Sequence, residues 1–133
     1  MFAVADTHAL LWALTGQTRT LGASARGHFA RAERREAVVY VPTFVLIEIG
    51  ELVERGRVTL PLPFDAWVNA LDRSGSVIVH DLTLEVVFHA NNPFAIPERC
   101  DRLIAASAVA LGCPLITRDQ AIAACAAVQQ LWD

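Results

Sequence analysis

The chain has 133 residues, a 54% hydrophobic share and a formal net charge of −3, enough apolar material for the core of one ordinary domain spanning residues 1–133. Its mean hydropathy of +0.39 is high, yet the longest stretch without a charged residue, Leu103 to Thr117, is broken by Gly112-Cys113-Pro114 and is too short to span a membrane. The amino terminus, MFAVADTHALL, has no basic residue before its apolar part and meets Asp6 early, which argues against a signal peptide, so a cytoplasmic location is expected.

In chain order, FAVAD (2–6) predicts a short buried strand and THALLWAL (7–14) a helix running up to Gly16. Residues 21–35 read as a second helix ending in charges. AVVYVPT (37–43) is a β-rich run halted at Pro42, and FVLIEIGELVERG (44–56) is a helix closed by Gly56. LPFDAWVNALDRSG (62–75) predicts an amphipathic helix, with Phe64 and Trp67 directed to the core, and SVIVHDL (76–82) a strand. TLEVVFHA (83–90) is helical, NNPFAIPE (91–98) a loop and DRLIAASAVALG (101–112) an alanine-rich helix. PLIT (114–117) is a strand, QAIAACAA (120–127) a helix and VQQLW (128–132) a last edge strand. Helices alternate with strands that are continuous apolar runs rather than alternating ones. That combination predicts an α/β fold, a parallel sheet of four to five strands with helices on both faces.

Two features of composition narrow the chemistry. Cys100, Cys113 and Cys125 form no C-x-x-C pair and are expected to be reduced thiols. All 11 basic residues are arginine. Five of them (Arg19, Arg26, Arg31, Arg34, Arg35) fall in one segment with a single acid, Glu33, which reads either as a solvated helix face or as a phosphate-contacting patch.

The acids carry the sharper signal. Ligands of open parallel sheets bind outside the carboxyl ends of the strands. Asp6 follows the first strand, Asp119 follows PLIT, and Asp101 opens the helix leading into PLIT. Each alone could be a helix cap contributing about 1 kcal/mol. Glu48 has Phe44, Val45, Glu51 and Leu52 one turn away, so it interrupts a largely apolar face, where a carboxylate needs a partner. Glu51 and Glu54 lie toward the charged end of the same helix and read as surface. Two carboxylates at about 4 Å repel by roughly 4 kcal/mol at an effective dielectric near 20, more than a cap contributes, so converging acids need a cation. No lysine exists, and His8, His28, His80 and His89 lack metal-ligand spacing. Mg²⁺ or Mn²⁺ suits an all-oxygen set, whereas zinc suits it poorly.

The segments ADTHALLWAL (5–14), IEIGELVERGRVTLP (47–61) and CDRLIAASAVALGCPLITRDQAI (100–122) resemble, in order and spacing, the PIN-domain nucleases, and among them the VapC-like toxins of bacterial toxin–antitoxin pairs. The resemblance implies a single PIN-like domain in which Asp6, Glu48, Asp101 and Asp119 bind one or two Mg²⁺ or Mn²⁺ ions that activate water to cut an RNA phosphodiester. It makes Thr117 the hydroxyl residue beside the last acid, and it implies a cognate antitoxin and a homodimer. Arginines of the 19–35 segment would then hold RNA phosphates. The Ser and Trp usual just before the glutamate are Val45 and Ile47 here, and the residues before the third acid are AIPERC (95–100), with Glu98 standing near an accessory acid.

Other classes fit less well. A phosphoacceptor receiver domain needs a lysine, and a haloacid-dehalogenase-type phosphatase needs an acid where His8 stands. A catalytically silent PIN-like module acting through protein or RNA contacts is the alternative that the altered residues near Glu48 suggest. His8 and Trp12 are expected mainly to pack their helix, with His8 near the rim of the groove.

Overall fold

The structure, a computed structural model, describes residues 1–91 and 96–133. Five strands, β1 (Phe2–Ala5), β2 (Val38–Pro42), β3 (Val77–His80), β4 (Leu115–Ile116) and β5 (Gln130–Leu131), pair in parallel in the order β3-β2-β1-β4-β5. Between them run α1 (Thr7–Leu14), α2 (Ala23–Glu33), α3 (Thr43–Glu54), α4 (Phe64–Arg73), α5 (Leu84–Ala90), α6 (Arg99–Leu111) and α7 (Gln120–Ala123). No helix among the described residues is long and apolar enough to cross a membrane.

Successive strand residues point to opposite faces, and Ala3, Val4 and Ala5 are all fully buried. Both faces of the central strand are therefore covered, which is why its sequence is apolar without alternation. Around it the core gathers Leu10, Val39, Val41, Val45, Ile49, Ile104, Leu115, Ile116 and Ile122. Helix α3 packs against α1, α4 and α6. At the α3–α4 contact an added Cβ on Gly50 would lie 3.0 Å from the Phe64 ring, so the absent side chain lets the helices approach. Trp67 is buried and Phe64 half-buried, as their spacing predicts.

Several boundaries differ from the sequence reading for local reasons. A 3-10 turn (Thr18–Thr20) precedes α2. Helix α6 begins at Arg99, two residues before the expected start, because Glu98 accepts the Asp101 N–H (2.7 Å) as its N-cap. Gly112 ends that helix in the left-handed region at φ 65°. The helix expected over 120–127 shrinks to Gln120–Ala123, since β5 must return beside β4 in parallel after a short crossover. Of the loop expected over 91–98, residues 92–95 lie outside the described residues.

Candidate active site

The sheet order places two carboxylates side by side. From β1 the chain steps outward through β2 to β3, then crosses to β4 and β5 on the other flank of β1. The order reverses between β1 and β4, and the crevice beyond their carboxyl ends is where such sheets bind ligands. Asp6 leaves β1 at that point, with its N–H bonded to the Ile116 carbonyl of β4 at 3.1 Å. Asp119 follows β4 on the neighbouring strand end.

Both aspartates also cap helices. The Asp6 carboxylate accepts the Ala9 N–H at 2.8 Å, opening α1, and Asp119 accepts the Ile122 N–H at 3.0 Å, opening α7. Thr117 is fully buried and links the pair: its hydroxyl donates to Asp6 and accepts the Asp119 N–H at 3.0 Å. One hydroxyl has donor and acceptor capacity for both roles. The Thr117 carbonyl accepts from Gln130 Nε2 at 2.9 Å, tying the loop to the last strand.

Glu48 reaches the same place from α3, and its partner is the hydroxyl of Thr7, a buried residue in the first turn of α1. Asp101 comes from the first turn of α6, where Glu98, not Asp101, is the cap. Its carboxylate accepts no hydrogen bond among the described residues. Burial pushes the Asp101 pKa up to about 6, and the charges of Glu98, Asp119, Glu48 and Asp6 push in the same direction. Burial likewise raises Asp6, with Asp119 adding to the rise, while Thr117, the Ala9 N–H and His8 oppose it. Cys100 stands close by; burial and the charges of Glu48 and Glu98 raise its thiol to about 11, leaving it un-ionised at neutral pH.

All four acids singled out from the sequence, together with Glu98, line one cavity of about 490 Å³. The donor set is all-oxygen and its charges repel one another, both of which suit a hard divalent cation. Among the described residues no three His, Cys, Asp or Glu side chains are gathered as one ligand group. The acids thus share a cavity without a closed coordination sphere, an arrangement compatible with Mg²⁺, which takes one or two carboxylates and keeps several waters.

Of the arginine segment, Arg31, Arg34 and Arg35 stand away from the acids. A helix between two parallel strands runs back to the amino edge of the sheet, so the residues just before β2 belong there. Arg31 contacts the Met1 sulfur at 3.6 Å, Arg35 donates to the Ser74 carbonyl at 3.3 Å, and Arg34 pairs with Glu36 at 3.2 Å. These arginines sit at the edge opposite the acids. The arginine at the site is Arg118, between Thr117 and Asp119, with its guanidinium carbon 4.6 Å from the centre of the Trp12 ring. His8 is exposed at the acidic cavity with its ring tilted against Trp12 one turn along α1, and the half-buried Trp12 both lines the cavity and packs on the core.

Sequence reasoning missed Thr7 and Arg118. A threonine directly after the first acid, on the helix face turned toward Glu48, was the available signal. Val45 is buried in the core and Ile47 is 62% exposed, and neither lines the cavity.

The family model for the PIN domain matches residues 3–128 of the chain. Among solved structures, the fold is similar to a chain in the crystal structure of VapBC2 from Rickettsia felis bound to a DNA fragment from their promoter, with a TM-score of 0.70 and 14% identity over 100% of both chains. At that identity the likeness speaks for the fold. No curated protein matches the sequence.

Proposed function

This chain belongs to the PIN-domain family, and we propose that it is a divalent-metal-dependent endoribonuclease, the toxin of a toxin–antitoxin pair. The observation that carries the reading is the convergence of acids from four separate segments in one cavity at the β1–β4 reversal. Independent caps would have no reason to face one another against mutual repulsion.

Asp6, Glu48, Asp101 and Asp119 are the residues that would hold Mg²⁺ or Mn²⁺. When bound, the ion supplies Lewis acidity toward a phosphodiester and toward water. Thr117 keeps Asp6 and Asp119 in fixed relation, and Thr7 orients Glu48. Asp101, whose carboxylate accepts no hydrogen bond among the described residues, is the carboxylate available to take the proton of the attacking water. Hydrolysis then forms one P–O bond to water and breaks the P–O bond to the leaving sugar oxygen.

In this reading the protein works in the cytoplasm and forms a homodimer, and the cognate antitoxin covers the active-site groove. Exposed apolar side chains support protein contacts: Leu84 is 72% and Phe88 67% exposed on α5.

The test is incubation of a mixed pool of structured and single-stranded RNAs with the purified, partner-free protein in Mg²⁺, Mn²⁺ or EDTA. Cutting that needs the metal and disappears in Asp6→Asn and Asp101→Asn is expected. A folded protein that cuts nothing would instead be a silent binding module.

A further inference from the structure

We propose that Trp12, His8 and Arg118, with Arg57 beyond them, form a binding subsite for an unpaired RNA segment beside the acidic cavity; the proposal rests on the nuclease reading above. A second cavity of about 540 Å³ is lined by His8, Trp12, Gln17, Arg57 and Thr59. His8 and Trp12 also line the acidic cavity, so the two spaces meet at these rings.

The indole of Trp12 is held in place. Its ring packs edge-on against Trp132, with centroids 6.2 Å apart at 63°, and the His8 ring tilts against it at 5.8 Å and 43°. Arg118 lies over the indole at 4.6 Å, placing a cation on an aromatic face. Arg118 and Arg57 are both exposed, and neither takes part in an ion pair among the described residues.

Charge explains why such a subsite is needed. Five carboxylates around the acidic cavity repel a polyanion, so the strand needs an anchor outside them. Two arginines supply phosphate contacts, and the exposed His8 ring, backed by Trp12, supplies an aromatic surface for a base. An unpaired base leaves its own stack to reach an aromatic side chain at lower cost than a paired one. Gln17 and Thr59 place an amide and a hydroxyl in the same cavity, groups able to hydrogen-bond a base edge or a ribose hydroxyl.

The experiment is fluorescence anisotropy in EDTA, where binding is read without cleavage, using a labelled single-stranded RNA oligonucleotide and the same sequence as a duplex. Wild type is expected to bind the single strand more tightly. Arg118→Ala and Arg57→Ala, both surface changes, are each expected to weaken it roughly tenfold and to flatten the salt dependence by about one phosphate contact. Trp12→Phe, which keeps an aromatic ring in the packing, is expected to lose less than Trp12→Leu. Arg73→Ala, on α4 away from both cavities, serves as the unchanged control. Equal affinity for single strand and duplex, wild-type binding by both arginine variants, or no binding by the wild-type protein would overturn the subsite. Metal-dependent cutting with unaltered binding in the variants would leave the nuclease standing and remove only this proposal; binding as expected without cutting would do the reverse.

Discussion

Asp101 is the residue on which the site's electrostatics bear most visibly. Its folded pKa, about 6, lies above the ordinary 3.8, so between those values the folded chain holds more protons than the unfolded one. Stability contributed by this group is therefore present at low pH and falls as pH rises through the window from about 4 to about 6. Urea unfolding in EDTA should accordingly find Asp101→Asn gaining on wild type as pH climbs through that window, with a constant advantage above it; parallel curves would show that neither burial nor the neighbouring acids raise Asp101. Thr117 offers the converse test. Thr117→Val removes the donor to Asp6 and the acceptor of the Asp119 N–H while keeping the volume, and is expected to cost about 1–3 kcal/mol in denaturant titration. The four acids were legible in the sequence because each stands in or beside an apolar run where a charge lacks an obvious reason. Thr7 and Arg118 were not, because a threonine at a helix start and an arginine in a loop have ordinary explanations; only the folded neighbours, Glu48 and Trp12, give them a role.

Helix ends explain how one residue serves two purposes. Asp6 satisfies a backbone N–H of α1 and still faces the cavity, so capping and chemistry are not competing readings. The two separate by substitution: asparagine caps as well as aspartate, whereas alanine does not. Asp6→Asn is expected to keep the melting temperature at or above wild type while abolishing cleavage, and Asp6→Ala to lose both activity and about 1 kcal/mol of stability. A large loss of stability in Asp6→Asn would mean that the carboxylate's charge is itself structural. Elements longer than about two turns could be read from periodicity within a residue or two. The error at α6 came from assigning the cap to Asp101 when Glu98 was three residues upstream. Arg31, Arg34 and Arg35 fall away from the acids because a helix feeding β2 must end at the amino edge of the sheet, a direction that charge alone does not give.

At the level of the molecule, continuous apolar strands announced a parallel sheet, but nothing in a single sequence orders the strands. The reversal between β1 and β4, which turns Asp6 and Asp119 into neighbours, is a property of the whole fold. It converts four locally explicable acids into one cavity lined by carboxylates, where a bound cation is expected to offset their repulsion. The most direct measurement is the melting temperature of the purified protein across a Mn²⁺ titration, wild type beside Asp6→Asn. A ligand that binds only the folded state raises stability with concentration. A concentration-dependent rise in wild type that vanishes or falls sharply in Asp6→Asn is the expected result. No rise, or an equal rise in both proteins, would contradict the account and leave Asp6 and Asp119 as helix caps alone.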